Sequence, residues 1–180
     1  MKKLGMVTLA LLLPVAFFSG AEAEQQDKQM GVRKAVCVLH PTKGNEAHGT
    51  IWFIQQGDEM EISGEVVGLK PGIHAFHVHE FGDCTAPDAM SAGAHFNPDA
   101  KPHGGPHTGE RHVGDLGNIK ADDKGMAKVQ IRDREVKLSG PHSVLGRALI
   151  VHADPDDLKS QPAGNAGARI ACGVIGIAKP

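Results

Sequence analysis

Gly72-Ile73-His74-Ala75-Phe76-His77-Val78-His79 decides how the rest of the chain is read. The stretch is short, shows no 3.6-residue apolar period and is bounded by turn residues, so it reads as a β-strand. On a strand, side chains two apart share one face. His77 and His79 therefore point the same way, and their imidazoles can converge on one ion without distorting the backbone. His74 lies three before His77 and faces the opposite side, as a structural, hydrogen-bonding histidine near the site. Phe76, with Trp52 and Phe53, reads as core.

Similar segments lie on both sides. Upstream are residues 33–40, 48–55 and 59–67, and downstream are 113–120, 126–132, 145–152 and 170–178. They are rich in Val and Ile and bounded by Gly, Pro, Asn and Asp. Asp122-Asp123-Lys124-Gly125 reads as a hairpin turn. Eight short strands with turn signals predict an all-β antiparallel sandwich or barrel.

Two stretches interrupt that pattern. Glu80 to His112 has almost no apolar content, and Ala153 to Arg169 carries Asp154-Pro155-Asp156-Asp157. Loops of this length are uncommon unless functional or disordered, so something must pin them. The chain has 11 His, unusually many, and they cluster around these loops. On the first loop or just after it come His95, His103, His112 and Asp115. Three imidazoles and one carboxylate make the closed tetrahedral set that zinc takes in structural sites. His152 ends an apolar strand and can join His77 and His79 from a neighbouring strand. An imidazole set without thiolate suits Cu(II) or Zn(II). If one histidine served both groups, its two ring nitrogens would each hold a metal. His40, His48, His107 and His142 read as solvated surface residues. Asp154 to Asp157 lacks the acidic spacing of a calcium loop.

Composition narrows the functional classes. The chain has 180 residues, 41% hydrophobic and 22% charged, with 23 Gly and 11 Pro. That suits one globular domain rich in turns. There is no Tyr, and only one Trp and six Phe, which leaves little for stacking nucleic-acid bases. Formal net charge is −2, with no basic block after the first residues, so no nucleic-acid partner is expected.

The N-terminus reads as a targeting segment. Lys2 and Lys3 precede the apolar run Val7 to Phe18, and Ala21-Glu22-Ala23 offers a cleavage site. The run is too short to span a bilayer as a helix. Residues 1–23 are therefore expected to be a cleaved signal peptide and 24–32 a flexible segment, with no membrane association after cleavage. A two-lysine leader of this length suits the periplasm, with an extracellular location the alternative. Export favours one disulfide and one leftover thiol among Cys37, Cys84 and Cys172. Cys37 sits in an apolar run and reads as a small hydrophobe. The alternative is three thiols on a metal, which no C-x-x-C spacing supports.

These residues together are recognisable. His77-Val78-His79-Glu80-Phe81-Gly82-Asp83 resembles the copper motif of the copper–zinc superoxide dismutase family. So do Gly93-Ala94-His95-Phe96-Asn97-Pro98, His103-Gly104-Gly105-Pro106 and Arg111 through Asn118. The run Gly164 through Gly176 completes the series, in order, over nearly the whole chain after the leader. The resemblance implies one eight-stranded antiparallel Greek-key barrel over residues 33–180, with two long functional loops. It implies copper on His77, His79, His95 and His152, and zinc on His95, His103, His112 and Asp115, with His95 as the bridge. Asp156 matches a carboxylate joining the two sites, Arg169 the active-site arginine, and Cys84 and Cys172 the disulfide.

The implied activity is dismutation of superoxide to oxygen and hydrogen peroxide by alternate reduction and reoxidation of copper, with His95 carrying a proton. Phe81-Gly82 and Gly173 to Ile177 resemble the dimer surface of the eukaryotic-type enzymes, which implies a homodimer. Gly82 through Asp88 looks more like the exported bacterial branch. The stretch from His152 to Asn165 is shorter than usual in the family and lacks its guide charges. Ala163 stands where a Thr often narrows the channel. The other readings are an exported copper-binding or copper-delivering protein on the same fold, and a homologue with a dead site. The full ligand set and Arg169 favour the enzyme.

Overall fold

The computed structural model describes residues 31–179. The expected leader over 1–23 lies outside the described residues, as does most of the 24–32 segment. Eight strands follow one another: β1 (Lys34–Pro41), β2 (His48–Gln56), β3 (Glu59–Val67), β4 (Gly72–His79), β5 (Asp115–Ala121), β6 (Ala127–Asp133), β7 (Ala148–His152) and β8 (Arg169–Ile177). Each falls within three residues of its predicted segment. A short 3-10 turn, Met90–Ala92, is the only helical element among the described residues, and none of their helices could cross a membrane.

All pairs are antiparallel, and the strands close into a barrel in the order β1-β2-β3-β6-β5-β4-β7-β8. The β3–β4 and β6–β7 connections each pass over two strands, which is the Greek-key crossing. The predicted 122–125 turn joins β5 to β6. Asp122 accepts hydrogen bonds from the Lys124 and Met126 amides through its carboxylate, and Gly125 sits at φ +75°.

Alternation places the core. Cys37 and Leu39 of β1, Ile51 and Phe53 of β2, Phe76 and Val78 of β4, and Leu149 and Val151 of β7 all point into the barrel. Removing such side chains from water is the main force holding the barrel closed, at about 1.5–3 kcal/mol for each large one. Cys37 is buried and unpaired, and burial pushes its thiol up to about 12. Trp52 departs from its expected place. It faces outward on β2, 37% exposed, with the Lys34 ammonium 4.8 Å from its ring centroid.

On β4 and β7 the outer face is buried too. Ala148 and Ile150 pack there against Ala89, Ala92 and Cys172, with Cys84 beside them. The Cys84–Cys172 disulfide ties this covering loop to β8. The long loops thus roof the outer face that carries His77 and His79.

Candidate metal centre

The pleat sends His77 and His79 to the outer face of β4. His152, two residues beyond Ile150, emerges beside them from β7. The strand register sets His77 opposite Asp115 at the start of β5. The 80–114 loop is stitched along β4: Glu80 N donates to Ala94 O, Phe96 N to Val78 O, Gly114 N to Phe96 O, and Val78 N to Gly114 O. These bonds lay His95 against His79 as an isolated bridge. A Cβ at Gly114 would come 2.1 Å from the Val78 carbonyl oxygen, so this approach needs glycine.

Two buried clusters result. His77, His79, His95 and His152 place ligand atoms within 4.8 Å of one another, and so do His95, His103, His112 and Asp115. His95 belongs to both. Its ring lies 4.1 Å from that of His77 and 5.4 Å from that of His103. Every histidine predicted for the site is therefore brought together.

Hydrogen bonds decide which ring atoms stay free. His77 Nε2 donates to Asp156 Oδ2 at 2.8 Å, and His103 Nε2 donates to Asp156 Oδ1 at 2.9 Å. His79 Nδ1 donates to Gly93 O at 3.0 Å and His152 Nδ1 to Gly167 O at 3.3 Å. That leaves their Nε2 atoms 3.3 Å apart, facing each other. His95 Nδ1 and His112 Nδ1 both reach Asp115 Oδ1, at 2.8 and 3.1 Å. His77 Nδ1, His95 Nε2 and His103 Nδ1 are buried with no partner in hydrogen-bond geometry, although His103 Nδ1 lies 3.1 Å from Asp115 Oδ2. Buried polar atoms are rarely left so. The three orphans converge on the two cluster centres, and cations there would satisfy them.

Charge follows the same division. Burial and the neighbouring His95 hold His79 well below the usual imidazole range. Burial and His77 lower His152 to about 3. Burial lowers His95 to about 4, against the pull of Asp115. These rings are neutral near pH 7 and offer lone pairs, as ligands must. Burial opposes protonation of His103, but the adjacent Asp115 carboxylate and the bond to Asp156 win and raise it to about 9. Asp115 and Asp156, despite burial, are held well below the carboxylate range by the histidines that donate to them.

The first cluster opens to a cavity of about 1020 Å³, lined by His79, His95, His152 and Arg169 among others. The guanidinium is fixed, with Nη1 donating to Ala89 O and Nη2 to Gly93 O, both at 2.7 Å.

Several residues at the centre were given no role by sequence reasoning. Buried Arg111 donates through Nη1 to the carbonyls of His112, Val113 and Asp115 and pairs with Asp133. Asn118 exchanges two hydrogen bonds with the Asp156 backbone, and Gln161 two with that of His103. Arg111 and Asn118 stood inside the quoted motif; Gln161 carried no signal. His74 behaves as expected, buried between the carbonyls of Lys70 and His152. His142 does not. It is half-buried between Asp99 and Glu135, away from the centre.

A closed antiparallel barrel carrying two adjoining donor clusters that share one imidazole defines a protein built for a pair of metal ions. The model of the copper/zinc superoxide dismutase family matches residues 47–175. Superoxide dismutase [Cu-Zn] 2 of Brassica juncea is 51% identical over 151 residues, covering 80% of this chain and 97% of that protein. The crystal structure of the clock protein EA4 superposes with a TM-score of 0.75 at 42% identity, covering 82% of this chain and 96% of that one. This chain belongs to the copper/zinc superoxide dismutase family.

Proposed function

We propose that this chain is an exported copper–zinc superoxide dismutase that turns two superoxide anions and two protons into oxygen and hydrogen peroxide. The observation that carries the reading is His95, buried between two donor clusters, with Nε2 unpartnered toward one and Nδ1 at Asp115 in the other.

The free atoms support a ligand assignment. Copper would take His77 Nδ1 and the Nε2 atoms of His79, His95 and His152. Zinc would take the Nδ1 atoms of His95, His103 and His112 with the Asp115 carboxylate. The imidazole-only set suits copper and the mixed set zinc. Copper held there would supply the one-electron redox couple through which one superoxide is oxidised and the next reduced. Arg169 binds and orients the anion with its fixed cation. His95 borders the cavity, and its Nε2, when not ligating, would hold a proton for the peroxide product. Asp156 fixes the rings of His77 and His103 and raises their basicity.

The domain reading keeps residues 1–23 as a cleaved leader, 24–32 as a flexible segment and 33–180 as the barrel, with the periplasm as the compartment and an extracellular location the alternative. A homodimer is supported by exposed Phe81, Val174 and Ile177, at 53, 43 and 69%. Gly82 lies against Val174, which makes the first two one continuous surface.

Superoxide decay by the protein loaded with both metals tests the activity. Fast decay is expected. No decay above buffer with both metals bound would favour a copper carrier. Sedimentation at micromolar concentration tests the dimer against a monomer.

A further inference from the structure

The 153–165 loop brings Gln161, Pro162, Ala163 and Asn165 to the cavity, and none is charged. Two cationic side chains of the lysine or arginine type line it, Arg169 and Lys43, together with one carboxylate, Asp88. Lys43 comes from the turn between β1 and β2, far from Arg169 in sequence.

That turn is built into the site. Thr42 Oγ1 donates to Arg169 O at 2.8 Å, and Thr42 N to Ile170 O at 3.1 Å. Lys43 N donates to Pro87 O at 2.8 Å, in the loop whose Ala89 and Gly93 carbonyls hold the guanidinium. Asn45 Nδ2 donates to Thr42 Oγ1 at 2.8 Å and closes the turn. The described ion pairs of arginine and lysine go to Asp99, Asp133 and Glu59, and Lys43 takes part in none. Its exposed ammonium is free to act on solution.

We infer that Lys43 is a second anion-guiding residue, which draws superoxide into the cavity in series with Arg169. The inference rests on the dismutase reading. A cleft lined by one sign of charge raises the on-rate of an oppositely charged ligand, steeply at low salt. With a Debye length of about 8 Å at physiological ionic strength, only charges at the mouth act on an entering anion. Lys43 lines the cavity with an exposed side chain, offsets the charge of Asp88 and sits on a turn held by backbone hydrogen bonds. In this chain the guiding charge sits on the β1–β2 turn because the 153–165 loop brings none to the cavity.

The test uses the metal-loaded protein with Lys43→Glu, Lys43→Arg and, as a control of equal net charge, Lys128→Glu on the far side of β6. Superoxide kcat/KM is followed from low to high ionic strength, with copper and zinc content measured. Azide affinity is titrated separately through the copper absorption band. Lys43→Glu is expected to lower kcat/KM about threefold at low salt, to flatten the salt slope, to converge with the parent at high salt and to weaken azide binding by a similar factor. Lys43→Arg and Lys128→Glu should match the parent. Lys43→Glu with the parent's salt slope and azide affinity overturns the inference. So does a loss that is the same at every salt concentration. A parent that binds azide in a Lys43-dependent way but leaves superoxide untouched would instead sink the dismutase reading.

Discussion

Asp156 Oδ2 accepts a hydrogen bond from His77 Nε2 at 2.8 Å, between two side chains with no solvent exposure. The other oxygen of the same carboxylate takes His103, so one residue of the 153–165 loop orients a ring in each cluster. Asp156→Asn would set an amide N–H against one of those ring N–H groups. Metal affinity is expected to fall about 10- to 100-fold. Gly164→Ala should act similarly, because its Cβ would lie 1.8 Å from Asp156 Oδ1 at a backbone φ of +66°. Competition with a chelator for zinc checks both, and unchanged affinity would remove Asp156 from the orienting role.

His152 closes the all-imidazole cluster from β7 without touching the mixed one. His152→Ala should lose copper and turnover while zinc binding and the barrel remain. Metal analysis beside circular dichroism reads this directly. Retained turnover would refute the ligand assignment.

Arg169 holds the cation nearest the open cluster. Arg169→Gln is expected to lower kcat/KM about tenfold at low salt, with a shallower ionic-strength dependence and unchanged metal content. An undiminished rate would leave the anion site elsewhere.

The Cys84–Cys172 bridge closes a loop of sequence separation 88. In the chain-entropy account its reduction removes roughly 4–5 kcal/mol of stability, or about 10 °C of melting temperature. It also frees the loop whose carbonyls hold Arg169, so activity should fall before the barrel melts. Thermal scans with and without reductant, alongside activity, separate the two effects.

The metal-free protein should be most stable near pH 6.5. His79, His95 and His152 have lowered folded-state values, the last two near 4 and 3, against 6.5 when unfolded. Below 6.5 the unfolded chain binds more protons, so stability falls with acid. His103 is raised to about 9 and has the opposite sense. Its contribution is full below 6.5 and lost as pH rises through 9. The Cys37 thiol extends the alkaline loss between about 9 and 12. Urea unfolding at pH 4, 6.5 and 9 after chelation checks the sign on each side. A rise in stability from 6.5 to 9 would contradict the His103 assignment.

Strand positions were legible because their cause is local. Val and Ile runs bounded by turn residues located all eight strands, and a period of two put His77 and His79 on one face of β4. Errors fell where a neighbour in space decides. Trp52 sits in an apolar run, but its parity turns it outward beneath Lys34. His142 looked solvated, but two distant carboxylates enclose it. The start of β7 moved to Ala148 because Gly146, at φ +75°, and the Arg147 N to Val144 O bond form a turn there.

The sequence by itself determined eight strands in an antiparallel sandwich or barrel, one long His-bearing loop, one acidic loop and the residue types of both clusters. These follow from alternation and composition, which act over a few residues. Only the tertiary structure decided which ring nitrogens are left without partners, that one Asp156 carboxylate serves both clusters, and that Thr42 and Lys43 abut Arg169. Those depend on closing the barrel, which brings β1 against β8 and β4 against β7 across long separations in the chain. Barrel closure sets β8 beside the β1–β2 turn, and no local pattern in the sequence records that contact.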